Sequence, residues 1–258
     1  MKNNKLKVIL LVAGEGKRLH PYTLDRPKCM VEVEGISLID RQLSILKSEG
    51  LDNIIMIGGY KSEMLKGKVE KLKHNPKYYN TNMVRTLFCA NEELEGEIIV
   101  AYGDIVYSKN ILKALIKSTA DISVTIDKNW ESYWRQRNPN PLLDAETLKL
   151  DEDDNIIEIG QKPKSLDEIE GQYMGLIKFS NEGVKQLKEF YNLVLKNDKL
   201  LTKPLDKAYM TDLLQGIINA GKTIKSIPIY DEWVEVDTVE DLKSNETIKR
   251  LRSINKNS

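Results

Sequence analysis

Lys7-Val-Ile-Leu-Leu-Val-Ala-Gly-Glu-Gly-Lys-Arg-Leu19 sets an unbroken apolar run directly against a glycine-rich, cationic loop. Residues 8–13 have the length and composition of a strand buried on both faces, as in a parallel sheet. The two glycines free the backbone to turn its N–H groups onto a phosphate, and Lys17 and Arg18 add positive charge beside them. Two common phosphate loops fail on particular residues. The dinucleotide fingerprint G-x-G-x-x-G/A needs a small residue where Leu19 stands, and the P-loop G-x-x-x-x-G-K-[ST] needs glycine in place of Leu11 and a hydroxyl in place of Arg18.

Outward from this loop, strand-length apolar runs alternate with helical periodicity, the pattern that builds a parallel sheet from βα units. Strands are predicted at 7–12, 53–57, 97–102, 121–127, 172–179 and 223–229. Ser37 is placed to cap a helix bearing the stripe Leu38, Ile39, Leu43, Ile45 and Leu46, with Gly50 just past its end. Further helices are predicted at 61–73, 82–94, 181–196, 210–220 and 238–251. Strand-like 145–150 and 155–159 flank the acidic turn 151–154 as a hairpin. Asn138-Pro139-Asn140-Pro141 ends any helix through the aromatic and basic stretch before it. Asp104 follows the central strand at its C-terminal end, where open α/β sheets bind ligands.

Composition narrows the function. Among 258 residues, 39 Lys+Arg cancel 39 Asp+Glu, which argues against a charge-driven grip on nucleic acid. Cys29 and Cys89 are too few for a disulfide framework or a zinc knuckle, so reduced cytosolic thiols and a cytoplasmic location are expected. Lys2, Lys5 and Lys7 ahead of an apolar run mimic a signal peptide, but the run is short and lacks a cleavage site. No stretch approaches the roughly 18 apolar residues that span a bilayer, so no membrane partner is expected.

Read at full length, the loop is Leu11-x-Ala13-Gly14-x-Gly16-x-Arg18-Leu19-x-Pro21-x-Thr23-x-x-x-Pro27-Lys28. It resembles the signature of the nucleotidyltransferases that join an NTP to a phosphorylated sugar or alcohol. The chemistry asks for such a loop independently of the resemblance. Nucleotidyl transfer brings together two anions, the α-phosphate of an NTP and the acceptor phosphate, whose repulsion must be neutralised. Arg18 offers a planar donor fork, and Lys28 a point charge beside the restrained Pro27. For Lys17, a solvated surface charge is as good a reading as a ligand role.

The resemblance implies an α/β, Rossmann-like fold: a mixed, mostly parallel sheet flanked by helices, with an inserted acceptor-binding lid. One domain, 1–258, would carry a nucleotide-binding half (1–128) and an acceptor-binding half (129–258). It also implies Mg²⁺ held by Asp104 and by Asp237, the latter in Trp233-Val-Glu-Val-Asp-Thr-Val-Glu-Asp-Leu242. Two carboxylates completed by phosphates and waters suit that ion. The alternative for Asp237 is a helix N-cap. Glu158-Ile-Gly-Gln-Lys-Pro163 is similar to the family's E-x-x-x-K-P segment, which makes Lys162 the contact to the acceptor phosphate; otherwise it is a turn lysine. Nucleotide contacts would come from Leu11, Ala13, Gly14, Glu15, Gly16, Lys17 and Arg18, from Gly59-Tyr60, from Asn82 and from Gly103. The 75–86 segment is similar to the base-reading stretch of the phosphocholine cytidylyltransferases, with Met83 and Thr86 departing from it. CTP is therefore the expected nucleotide, with uracil left open.

The three tryptophans fall in two short segments. Trp130, Trp134 and Trp233, with Tyr133 and Tyr173, suit an aromatic box for a substituted ammonium, and Asp144, Glu146 and Glu235 could balance its charge. Aromatics four apart on a helix also pack into cores, with about even odds. Arg135 and Arg137 would suit a carboxylate or phosphonate better than a trimethylammonium, so phosphocholine, 2-aminoethylphosphonate and a phosphorylated amino acid all stand as acceptors. The sequence therefore predicts a cytidylyltransferase, with catalysis by Arg18, Lys28 and Lys162. A sugar-1-phosphate nucleotidylyltransferase is the second reading and a non-catalytic nucleotide sensor the third. A homodimer is compatible with any of them.

Overall fold

A computed structural model describes residues 6–256; Lys2 and Lys5 of the signal-like segment lie outside the described residues. Its centre is a seven-stranded sheet of β1 (Lys7–Val12), β2 (Ile54–Gly58), β3 (Lys71–His74), β4 (Ile98–Tyr102), β5 (Ile122–Asp127), β6 (Gln172–Phe179) and β7 (Lys225–Ile229), ordered β7-β5-β6-β4-β1-β2-β3. Every neighbouring pair is parallel except those made by β6, which runs antiparallel to β4 and β5. The mixed, mostly parallel sheet is the predicted one.

β1 alternates between two cores. Val8, Leu10 and Val12 pack with α1 (Leu38–Ser48) on one side, while Ile9 and Leu11 pack on the other with α2 (Met83–Phe88) and residues of two later helices. Burial on both faces is why the strand carries no polar alternation. α1 begins where expected: Ser37 Oγ accepts from the Asp40 N–H, and Gly50 follows the helix at φ 74°. The C-terminal ends line up, with Val12 opposite Gly58 and Leu11 opposite Tyr102. The loops leaving all three strands therefore open on one edge.

Three predicted helices differ. Residues 61–73 form a short 3-10 turn, Ser62–Leu65, then edge strand β3. Gly67, at φ 82°, stops the helix, and Lys71 and Lys73 suit an outer strand whose charges discourage further pairing. The 82–94 helix ends at Phe88, followed by the turn Asn91–Glu93. The closing helix is two, Val239–Lys243 and Asn245–Lys256, because Ser244 takes an extended backbone and its Oγ accepts from the Glu246 N–H as a new cap. The hairpin across 151–154 is present, pairing Leu148–Leu150 with Ile156–Ile159. No helix among the described residues is long and apolar enough to cross a membrane.

Candidate active site

The glycine loop is buttressed from beneath. Gly16 adopts φ 70°, and a Cβ there would lie 2.9 Å from Lys28 Cγ, so the Lys28 side chain crosses the space the glycine leaves. Thr23 Oγ1 donates to Gly16 O, and the Lys28 N–H donates to Gly14 O. Gly59 and Tyr60 serve the same scaffold: the Tyr60 N–H donates to Ala13 O, and a Cβ on Gly59 would come within 2.7 Å of that oxygen. Neither lines the cavity, and Glu15 turns outward toward Lys17 and His20. These three are therefore loop supports rather than cavity contacts.

That cavity, about 440 Å³, is lined by Leu11, Ala13, Gly14, Gly16, Lys17, Arg18, Lys28, Asn82, Gly103, Asp104, Glu235 and Asp237 among others. Lys28 Nζ lies 2.5 Å from Asp104 Oδ2 and 2.7 Å from Asp237 Oδ1, and Arg18 pairs with Asp237 Oδ2. Burial opposes the charge on Lys28, but the two carboxylates outweigh it and hold its pKa above the ordinary lysine value. Asp104 Oδ1 is buried without a hydrogen-bond partner. Two convergent carboxylates, one of them with a buried unsatisfied oxygen, fit a hard divalent ion completed by phosphate and water oxygens.

The sequence separates Asp104 from Asp237 by more than half the chain, and backbone pairing brings them together. The Val236 N–H donates to Asp104 O, and Trp233–Glu235 pairs antiparallel with Ile105–Tyr107. The N-cap reading of Asp237 fails, because Thr238 and Asp241 form the capping box and leave the Asp237 carboxylate to the cavity.

The aromatic box is corrected by burial. Trp130, Tyr133, Trp134 and Trp233 are each at most 5% exposed and pack edge-on against one another. Arg137 and Arg250 cover the Tyr133 ring. Trp233 Nε1 donates to the buried Asp127 carboxylate, and Trp130 Nε1 to Ile169 O. These faces are closed to a ligand. Arg137 donates to Glu235 and, with two nitrogens, to Asp241, whereas Arg135 pairs with Glu131 at the surface, so neither waits for an acceptor. Tyr173 meets Tyr102, a cavity residue, edge to face.

Lys162 and Asp144 line a second cavity of about 740 Å³ with Glu146, Lys203 and Asp212. Lys162 Nζ donates to Leu142 O and Leu143 O. The structure therefore does not bring Lys162 to Lys28 and the aspartates. Tyr209 stands between the two spaces: it lines the first, and Lys203 of the second lies 4.6 Å over its ring. Sequence reasoning missed Tyr78, Thr81, Tyr102 and Tyr209 as walls. Cys29 also lines the cavity, and burial pushes its thiol up to about 12.

The sequence model of the MobA-like NTP transferase domain matches residues 8–148. The chain is 39% identical over 249 residues to the CTP:phosphoglutamine cytidylyltransferase of Campylobacter jejuni, spanning 92% of this chain and 98% of that one. It is 34% identical over 118 residues to the choline-phosphate cytidylyltransferase of Streptococcus pneumoniae, 44% of this chain and 52% of that one. In fold it is similar to the inositol-1-phosphate CTP transferase of T. maritima, at TM-score 0.75 and 18% identity over 97% and 96% of the two chains. The CTP:phosphocholine cytidylyltransferase of Streptococcus pneumoniae shares that fold, at TM-score 0.69 and 21% identity over 97% and 99%.

Proposed function

The chain belongs to the MobA-like NTP transferase domain family, and on that premise we propose that it transfers CMP from CTP to a small phosphorylated acceptor, releasing pyrophosphate. The observation that carries this reading is the cluster of Lys28 with Asp104 and Asp237, and of Arg18 with Asp237, in the wall of a nucleotide-sized cavity. An acceptor phosphate oxygen attacks the α-phosphorus, and the bond to the β-phosphate breaks. Arg18 and Lys17 hold triphosphate oxygens, while Lys28 offsets the charge where the two anions meet. Asp104 and Asp237 would hold Mg²⁺, which supplies further neutralisation at the phosphates when bound.

In the wall of the same cavity, Asn82 reads the base. Its Nδ2 donates to Lys207 O, leaving the carbonyl oxygen uncommitted among the described residues. An acceptor at that position favours the exocyclic amine of cytosine over the carbonyl of uracil. Asn82→Ala should lower kcat/KM for CTP by about tenfold and narrow the preference over UTP, because one recognition hydrogen bond is worth roughly 1 to 1.5 kcal/mol. Initial rates with the two nucleotides check this; an unchanged CTP/UTP ratio removes Asn82 from base selection.

For the acceptor, a zwitterionic compound such as a phosphorylated amino acid fits best. The second cavity carries both signs, with Lys162 and Lys203 against Asp144 and Glu146. The relative from Campylobacter jejuni is named for phosphoglutamine. The test is pyrophosphate release with Mg²⁺, each of the four NTPs and dTTP, and a panel of phosphoglutamine, phosphocholine, 2-aminoethylphosphonate and hexose 1-phosphates. CTP-dependent release with a zwitterionic acceptor is expected. Release confined to UTP or dTTP with a hexose phosphate would replace the proposal with sugar-nucleotide synthesis.

A further inference from the structure

Lys28 and Arg18 do more in this arrangement than await phosphate. Three of the four carboxylate oxygens of Asp104 and Asp237 are engaged by these two cations, and the fourth, Asp104 Oδ1, is buried and unpartnered. An ammonium 2.5 and 2.7 Å from both acids lies in the space a divalent ion would need to touch them both. The two cannot share it, since like charges at such separations repel strongly where solvent is scarce.

We propose that Lys28, seconded by Arg18, is a nucleotide-released latch on the divalent-ion site. The triphosphate draws both cations off the carboxylates, and the ion is admitted only together with the nucleotide. This inference rests on the reading of Asp104 and Asp237 as the pair that holds Mg²⁺. The side-chain positions support motion of this kind. Arg18 is 64% exposed, so its guanidinium can swing to a phosphate without disturbing packing. The Lys28 stem runs over Gly16, whose missing side chain leaves it a track alongside the phosphate loop. A chain that bound Mg²⁺ before CTP would present a metal-activated site to water or a wrong phosphate. The latch makes the complete site a consequence of having the correct donor.

The test is direct binding of Mn²⁺, followed by electron paramagnetic resonance, with and without CTP and with no acceptor present. Wild-type protein should bind Mn²⁺ weakly alone and at least about tenfold more tightly with CTP, since neutralising an opposed charge at close range is worth that much or more. Lys28→Met should bind Mn²⁺ about tenfold more tightly than wild type without nucleotide, and Lys28→Arg should stay weak. Arg18→Gln, at a largely exposed position, should show a smaller tightening in the same direction and covers the case in which Lys28→Met does not fold. Tight wild-type binding without CTP, or no tightening in either variant while CTP still promotes wild-type binding, overturns the latch and leaves the metal pair standing. No Mn²⁺ binding in any pairing overturns both.

Discussion

Asp104→Ala should lower kcat/KM by about a hundredfold to a thousandfold, the range for losing a group that stabilises charge developing in a transition state. The substitution removes an oxygen 2.5 Å from Lys28 Nζ and the buried Oδ1 beside it, so the proposed metal and the proposed catalytic lysine would both lose their anchor. The fold should survive. What ties the Asp104 segment to the C-terminal ribbon is its backbone oxygen, which accepts from the Val236 N–H whatever side chain is present. Asp104→Asn should be nearly as damaging, since an amide keeps the shape but loses the charge. The measurement is steady-state pyrophosphate release together with a thermal melt. A native melt with turnover within fivefold of wild type removes Asp104 from the catalytic set, and a collapsed melt assigns it to folding instead.

The cationic end of the cavity was legible because it is local. Residues 11–28 run from the end of β1 through one connected segment, and the position of Asp104 after the central strand follows from the parallel-sheet rule. Asp237 could be found only by its resemblance to a known segment, since no spacing argument joins residues 104 and 237. Strands buried on both faces, such as β1, were read from apolar runs alone. The edge was not: Lys71–His74 is too charged to look like a strand, and its place beside β2 is a tertiary fact. The aromatic cluster misled for a related reason. Tryptophans near a site look the same in sequence whether their faces meet a ligand or each other, and only burial below about 5% decides it. Here they pack one layer behind the cavity, and Arg137 joins their rings to Glu235 in its lining.

Arg137→Met should destabilise the protein by about 3 to 5 kcal/mol, the cost of removing one partner from a buried ion network. Arg137 is 13% exposed and holds Asp241, 6% exposed, through two nitrogens and Glu235 through a third. Its guanidinium also lies over the Tyr133 and Trp134 rings, so methionine keeps some packing and loses the charge. Thermal denaturation should shift by on the order of 10 °C for a domain this size. Below the melt the variant should also lose turnover, because Asp241 accepts from the Asp237 and Thr238 N–H groups and thereby aims the Asp237 carboxylate at Lys28. Glu235→Gln added to Arg137→Met should recover part of the lost stability by removing one stranded charge, a coupling that two independent sites would not show. The pH dependence follows from the same contact. Burial acts to raise the Asp241 pKa, but Arg137 outweighs it and holds it below that of an ordinary aspartate, the pH at which an unfolded aspartate would titrate. Wild type therefore gains from this group above that pH and loses the gain as pH falls through the folded value. In Arg137→Met that acid limb should flatten. An unshifted melt with an intact acid limb would mean that the network contributes nothing, and that Asp237 is aimed by the ribbon pairing of Trp233–Glu235 alone.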